Sequence, residues 1–204
     1  MRALDFHDFS QHADMLSLPG GHRVTVRFVE PADAGALQAY VRALSQTSRY
    51  NRFFGATAAL PPGELEKSIH SGEHNLFTVI AVTRIDGFES IVGEARYQID
   101  PSTDRFEFGL SVSDHWQGHG LGRALLSNLE CRAAALGARS VFGDTLRSNA
   151  AMIGLAARSG YDFSPTPDDW KTVRFEKPVD PAPETIPCSG WRHAAQTFDA
   201  APLH

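Results

Sequence analysis

The sequence FEFGLSVSDHWQGHGLG, residues 106–122, decides the fold of this chain. Apolar side chains fall at every second position from Phe106 to Val112, which predicts a strand with one apolar face. A short polar turn and a glycine-rich loop follow, and the sequence from Arg123 onward favours a helix. Glycines let phosphate oxygens approach backbone N–H groups, and a helix start adds unpaired donors and a positive dipole end. The stretch therefore predicts an anion-binding loop between a strand and a helix.

Three glycines in a loop are also compatible with a plain tight connection, so the spacing matters. A dinucleotide fingerprint G-x-G-x-x-G would need glycine at Arg123, and no G-x-x-x-x-G-K-[ST] phosphate loop occurs in the chain. The residues from Gln117 to Gly122 instead match Q/R-x-x-G-x-G/A. This pattern resembles the acyl-coenzyme A loop of the GNAT superfamily of N-acyltransferases.

The resemblance extends on both sides of the loop and covers about residues 24–177. Downstream, Ser140–Thr145 resembles a short strand, and Asn149 stands where the family opens its next helix, before Gly160-Tyr161. Upstream, Val92–Tyr97 resembles the strand that precedes the central one. The segment Ser48–Phe54 is similar to the helix-to-loop segment of GNAT domains in bacterial protein-lysine acetyltransferases.

The resemblance implies an α/β (α+β) GNAT fold. Its central sheet would be mixed but mostly antiparallel, with six or seven strands, splayed central strands and about four flanking helices. Residues 1–22 show no clear period and are expected to form an N-terminal arm, residues 23–177 the acyltransferase domain and residues 178–204 a proline-rich C-terminal tail. Periodicity predicts strands and helices at Arg23–Val29, Ala34–Leu44, Pro61–Ile69, Leu76–Thr83, Ile91–Ile99 and Arg105–Val112.

Composition agrees with one enzyme domain. The chain has 204 residues, of which 42% are hydrophobic and 21% charged, enough to bury a normal core. A net charge of −5 without a basic stripe disfavours nucleic acid, and no long apolar run or signal sequence predicts a membrane partner. Cys131 and Cys188 predict neither a metal site nor a disulfide framework. The expectation is a cytoplasmic monomer or homodimer without a metal.

Glu107 is the candidate general base. An amine of pKa near 10.4 is only about 0.1% neutral at pH 7.5, so a proton acceptor assists acyl transfer. In related protein acetyltransferases a glutamate at this strand position takes the proton, directly or through water, and Glu107 matches it. The alternative is a strand glutamate paired with Arg96 or Arg105.

The resemblance also implies the contacts to acetyl-CoA, the expected cosubstrate. Backbone groups of Leu110 and Val112 would pair with the pantetheine arm, the loop amides would bind the pyrophosphate, and Trp116 would shield the loop. Asn149 would bind the coenzyme, cap the following helix, or do both. The cofactor-binding set is Leu110, Ser111, Val112, Gln117, Gly118, His119, Gly120, Leu121, Gly122, Arg123 and Asn149.

One position departs from the family pattern. Many GNAT enzymes have a tyrosine seven residues after the asparagine, where it protonates the departing thiolate, but Ala156 stands there. Tyr161 is in another register and is interpreted as a core residue. Two function classes follow: an acetyl-CoA-dependent N-acetyltransferase working by direct transfer in a ternary complex, or a degenerate acyl-CoA-binding sensor. Glu107 and the intact loop favour the first.

The acceptor is predicted from Arg49–Phe54, which would form the rim of its site. The likeness to protein-lysine acetyltransferases favours a protein lysine over a small-molecule amine. Two arginines at the rim would repel a cationic amine unless they point away or pair with carboxylates such as Glu64 and Glu66. Alternatively, Tyr50, Phe53 and Phe54 are core aromatics beneath the first helices.

Overall fold

The structure is a computed structural model that describes residues 13–167, 169–180, 182, 185, 186 and 188–193. Within these residues, eight strands form one sheet that five α-helices flank, and residues 189–193 form a further helical segment. The strands are β1 Asp14–Ser17, β2 Arg23–Phe28, β3 Leu76–Ile85, β4 Phe88–Asp100, β5 Arg105–Val112, β6 Ser140–Leu146, β7 Asp162–Pro165 and β8 Thr172–Pro178. The helices are α1 Ala34–Ala43, α2 Gln46–Phe53, α3 Pro62–Ile69, α4 Leu121–Ala135 and α5 Ala150–Arg158.

The sheet is antiparallel except at one junction, in agreement with the mixed GNAT fold that the sequence predicts. Its strand order is β1-β2-β3-β4-β5-β6-β8-β7, and only the β5–β6 pair is parallel. The structure has eight strands, one or two more than the six or seven expected. The additional strands are the short edge strands β1 and β7. Four-residue edge strands are difficult to recognise from sequence because they complete barely two periods of alternation.

The helices cover both faces of the sheet. The cluster formed with α4 and α5 includes Phe106, Phe108, Leu125 and Ala156. The cluster on the opposite face joins Tyr40 and the rest of α1 to α3 and β3. Alternation along β5 therefore places its phenylalanines under α4 and turns Glu107, Gly109 and Ser111 toward the first helices.

Parts of the two predicted end segments belong to the folded body. Strand β1, from the predicted arm, pairs with β2 through Asp14 and Val26. From the predicted tail, Ile186 and Trp191 are buried, and Cys188 forms a disulfide with Cys131 of α4. The sequence suggested no disulfide framework, and this bond contradicts that expectation. Their sequence separation of 57 residues carries no pairing signal, and only the return of the chain to α4 brings them together.

Candidate active site

The central strands separate partway along their length. Strand β5 pairs with β6 only from Arg105 to Glu107, and beyond Glu107 its edge has no strand partner among the described residues on that side. A Cβ on Gly143 of β6 would lie 2.7 Å from the Phe108 carbonyl oxygen. The absence of a side chain at Gly143 therefore lets the backbone of β6 approach Phe108 near the point where the two strands separate. Backbone groups alternate in direction along a strand. Those of Leu110 therefore point to the open edge, like the carbonyl of Phe108.

A cavity of about 340 Å³ lies at this opening. Its lining includes Glu107 and Leu110 of β5, Asn149 at the start of α5, and Arg52 of α2. The cavity therefore joins the predicted base to part of the predicted pantetheine edge.

The glycine-rich loop has the backbone geometry of an anion site. Gly118 and Gly120 have φ angles of 80° and 87°, which other residues rarely adopt. The amides of residues 118–123 donate to no acceptor within the described part of the chain. Gly120 lies directly before α4, and a Cβ there would lie only 2.9 Å from Cδ of Pro19. These free donors at the helix start fit a pyrophosphate.

Side chains around the loop stabilise its path. Gln117 donates from Nε2 to the Val112 carbonyl at 3.1 Å, and Nδ1 of His119 donates to the carbonyl of Gln117 at 2.9 Å. Trp116 is half-buried and makes an edge contact with the ring of His22, with centroids 5.4 Å apart. The position of Trp116 agrees with a shielding role, while Arg123 is exposed at the first turn of α4.

Asn149 and Ser111 differ in how they face the cavity. Asn149 caps α5, since its Oδ1 accepts from the Met152 amide at 3.2 Å, and it also lines the cavity. Ser111 is buried on the α1 side, where its hydroxyl contacts Tyr40 at 2.9 Å and donates to Glu94 at 3.3 Å. The side chain of Ser111 therefore does not face the open edge of β5, where the cofactor is predicted to bind.

Glu107 has no ion-pair partner within the described residues. Arg105 pairs with Glu176 at 2.7 Å, and Arg96 pairs with Glu64 at 3.1 Å. The alternative interpretation of Glu107 as the partner of either arginine is therefore wrong. Its exposed carboxylate lines the cavity and is available to accept a proton.

Both rim arginines are held by acceptors other than Glu64 and Glu66, and only Arg52 is paired with an opposite charge. Arg52 forms two hydrogen bonds of 3.0 Å with the buried carboxylate of Glu94. Arg49 donates to the main-chain carbonyls of Arg42 and Leu44. Neither Glu64 nor Glu66 pairs with these arginines, because Glu64 lies beside Lys67 and Arg96 and Glu66 lies beside His70. Sequence proximity says little about which helix faces which strand.

The rim aromatics divide between surface and core. Tyr50 and Phe54 are 45% and 47% exposed, so the alternative of core aromatics is wrong for these two. Phe53 instead packs against the apolar cluster beneath α1 and α3. Phe54 ends α2 in the left-handed region with φ 56°, which turns it away from the helix axis.

Tyr161 does not replace the tyrosine that is missing at Ala156. Ala156 is fully buried, and Tyr161 is buried against Phe108 and Phe175, as the interpretation of Tyr161 as a core residue predicts. Burial raises the pKa of the Tyr161 hydroxyl, with the Glu130 carboxylate acting in the same direction. A group with a raised pKa inside the core does not serve as the proton donor of the cavity.

A contact that the sequence does not reveal joins the acceptor side to the loop. The Asp114 carboxylate accepts hydrogen bonds from the Ser45 amide at 2.8 Å and from the Ser48 hydroxyl at 2.7 Å. Burial alone would raise the pKa of Asp114, but these hydrogen bonds outweigh it and the pKa lies below its ordinary value. Ser45 is recognisable as a helix N-cap, whereas its partner 69 residues away is not.

The described residues contain neither a metal-binding group nor a membrane-spanning helix. No group of three or more His, Cys, Asp or Glu side chains there could hold a metal ion. No helix among them is long and apolar enough to cross a membrane.

Comparison with known proteins identifies the family. The sequence model of the Acetyltransferase (GNAT) family matches residues 25–161, which is more than half of the chain. The chain belongs to this family. The GNAT chain is 26% identical over 153 residues to Acetyltransferase PA5475 of Pseudomonas aeruginosa, covering 75% of this chain and 82% of that protein. Acetyl transfer from acetyl-CoA is accordingly its activity.

Solved GNAT structures share the fold. The GNAT domain of S. lividans PAT superposes with a TM-score of 0.73 at 24% identity, covering 82% of this chain and 97% of that one. RimL, a ribosomal L7/L12 α-N-protein acetyltransferase solved with coenzyme A, gives a TM-score of 0.65 at 14% identity, covering 82% and 99%. A cAMP-binding acyltransferase from Mycobacterium smegmatis gives 0.59 at 20% identity, and covers 91% of this chain but 54% of that chain.

Proposed function

We propose that this GNAT enzyme transfers an acetyl group from acetyl-CoA to a lysine side chain on a protein, by direct transfer in a ternary complex. The observation that carries the proposal is the single cavity at the strand opening. It brings an unpaired carboxylate, Glu107, to the same space as the Leu110 edge and Asn149. A base on one side and an open strand edge on the other are what direct transfer requires, because both substrates must meet in one space.

The coenzyme is assigned to the open edge and the loop. Leu110 and Val112 would bind the pantetheine arm, the amides from Gly118 to Arg123 the pyrophosphate, and Asn149 the side of the arm nearest α5. The unpaired amides support this assignment, since six donors without acceptors fit a group with several anionic oxygens. Bound acetyl-CoA supplies the thioester whose carbonyl carbon the amine attacks.

Glu107 is assigned the role of general base. It would take a proton from the ammonium group of the acceptor, directly or through one water molecule, so that the neutral amine forms the new N–C bond. The C–S bond then breaks and the thiolate leaves. Because Ala156 carries no hydroxyl, we assign the protonation of the thiolate to water rather than to a side chain.

The acceptor assignment rests on the rim of the cavity. Arg52 and Arg96 are each paired with a carboxylate, so Glu107 contributes an uncompensated negative charge that attracts a cationic amine. The exposed rings of Tyr50 and Phe54 offer apolar surface to a protein beside that amine. These features favour a protein lysine over a small-molecule amine.

The alternative function is a catalytically degenerate acyl-CoA-binding sensor. Ala156 favours it, because the position that commonly supplies a proton donor is filled by a buried methyl group. The unpaired state of Glu107 favours the enzyme instead.

We further propose that the enzyme acts as a monomer or homodimer, without nucleic acid or metal. The net charge of −5 supports the absence of nucleic acid. The Cys131–Cys188 disulfide counts against a reducing compartment, where such bonds are rare.

Acetylation with labelled acetyl-CoA tests the function. We expect release of free thiol with a lysine-containing peptide, faster than with small amines, and labelled protein bands when cell extract is added. Label confined to small molecules would contradict the protein-lysine assignment. Binding of acetyl-CoA without thiol release above the uncatalysed background, across the whole amine panel, would instead establish the sensor.

A further inference from the structure

The guanidinium of Arg52 is held in one orientation. Its Nε and Nη2 atoms donate to the two carboxylate oxygens of Glu94, each at 3.0 Å. Glu94 lies in β4 with 4% of its surface exposed, so the pair is largely removed from water. A two-point contact between planar groups prevents rotation, and the third nitrogen, Nη1, therefore points in a defined direction.

That third nitrogen has no acceptor within the described chain. It lies over Gly109 of β5, where an added Cβ would be 3.0 Å away. Arg52 lines the cavity, and its Nη1 atom is not fully buried, so solvent in the cavity reaches it. Arg96, which also lines the cavity, differs because its two terminal nitrogens donate to Glu64 and Ser68.

The free donor lies beside the base. Gly109 and Glu107 are two residues apart on the same face of β5, and same-face neighbours of a strand are about 7 Å apart along it. Glu107 of β5 and Arg52 of α2, which lies over Gly109 of the same strand, thus present a proton acceptor and a charged donor to the same cavity. The complementary molecule carries an amine at one end and an oxygen acceptor a few bonds away.

We propose that Arg52 Nη1 binds a carbonyl or carboxylate oxygen of the acceptor and thereby determines acceptor specificity. This inference rests on the proposed function and extends it, because it names the second group that the acceptor must carry. A lysine residue has this arrangement, with its amine separated from the main-chain carbonyl by a flexible arm. Free lysine has it too, with a carboxylate in place of the carbonyl.

The substitution Arg52→Lys tests the proposal. Lysine keeps a positive charge for Glu94 but loses the fixed third nitrogen. The acceptors are Nα-acetyl-lysine methylamide, free lysine and pentylamine, which has the amine without the oxygen. We expect the wild type to prefer one or both lysine compounds over pentylamine. In Arg52→Lys, kcat/KM should fall roughly tenfold for each preferred lysine compound and stay unchanged for pentylamine. A larger loss with the methylamide identifies the carbonyl as the bound group, and a larger loss with free lysine identifies the carboxylate.

An equal loss for all three acceptors would overturn the proposal, because a merely structural role cannot distinguish them. The double variant Arg52→Met, Glu94→Gln serves if Arg52→Lys does not fold, since it leaves no unpaired buried charge. It is expected to show the same selective loss.

Binding measurements separate this inference from the proposed function. Calorimetry with the coenzyme A-loaded wild type is expected to show tighter binding of the methylamide or of free lysine than of pentylamine. Equal binding of all three would overturn the role of Arg52 whether or not acetyl is transferred. Selective binding without transfer to any amine would leave the Arg52 site standing and contradict the proposed function.

Discussion

At the scale of single residues, the proposed chemistry depends on Glu107, a carboxylate without an ion-pair partner among the described residues. Arg105 and Arg96 flank Glu107 in the sheet, yet each is committed to another carboxylate. Arg174, the next cation, is paired with Asp144 at 2.7 Å. Each of these three cations has another carboxylate as its ion-pair partner, although the charge of Arg174 still interacts with Glu107, and this supports the proposed role of Glu107 as the proton acceptor.

Replacing Glu107 by glutamine is expected to lower kcat roughly 10²–10⁴-fold, because shape and hydrogen bonding are kept while the base is lost. The affinity for acetyl-CoA should remain unchanged. Steady-state kinetics between pH 6 and 9 provide the measurement.

The cross-strand neighbour Gln98 supplies a matched control for charge. The double variant Gln98→Glu, Glu107→Gln has the wild-type net charge with the carboxylate on the adjacent strand. We expect it to remain slow. Recovery of near wild-type turnover would mean that the cavity needs a negative charge rather than a base at position 107.

At the scale of elements, the start of α4 has the features that the proposed pyrophosphate site requires. The glycines before it remove side chains from the approach to six free amides, and Gly122 is the second residue of the helix. Gly35 occupies the equivalent place in α1, where it is exposed and a Cβ would touch nothing within 4 Å. The two positions are a natural pair for comparison.

Gly122→Glu is expected to weaken coenzyme A binding by at least roughly 1.5–3 kcal/mol, or about 10- to 150-fold, because a negative side chain competes for the phosphate donors. A Cβ at Gly122 makes only ordinary contacts, the nearest at 3.5 Å to Leu155. Gly120→Glu would be less informative, since Pro19 and a positive φ would add strain.

Gly35→Glu adds the same charge to the first turn of another helix and should leave the affinity unaltered. Titration calorimetry with coenzyme A compares the two variants, and denaturant unfolding checks that both remain folded. Equal affinity of both variants for coenzyme A would exclude the loop as the pyrophosphate site.

At the scale of the whole molecule, the C-terminal segment is fastened to the body of the domain. Trp191 donates from Nε1 to Asp14 of β1 at 2.9 Å, and the same carboxylate accepts from Arg132 and Asn128 of α4. The Arg132 guanidinium lies over the Trp191 ring, 4.5 Å from its centroid. The disulfide closes this arrangement covalently.

Reduction of the Cys131–Cys188 bond is expected to lower the free energy of unfolding by about 2–4 kcal/mol, because it releases a long loop in the unfolded chain. Urea unfolding followed by tryptophan fluorescence, with and without a dithiol reductant, measures the change. Cys188→Ser should be less stable from the start and insensitive to the reductant. If reduced and oxidised protein unfolded at the same urea concentration, the bond would not contribute to stability.

The sequence by itself determined the features that depend on neighbouring residues. Alternation from Phe106 to Val112 predicts β5 with the bounds of the structure, and Asn149 caps α5 where the pattern indicates. Gly118 and Gly120 of the loop have φ angles that glycine adopts more readily than other residues, so their spacing is informative without a fold. The assignments of cofactor contacts and of Glu107 as the base remain predictions.

Only the tertiary structure decided which distant groups meet. The separation of β5 from β6, the pairing of Arg52 with Glu94 and the Cys131–Cys188 bond each join segments that are far apart in the chain. Such contacts depend on the path of the whole chain and not on local periodicity. For that reason the sequence indicated a base and an anion loop. Only the fold showed that, among the described residues, Glu107 has no ion-pair partner and Nη1 of Arg52 has no acceptor.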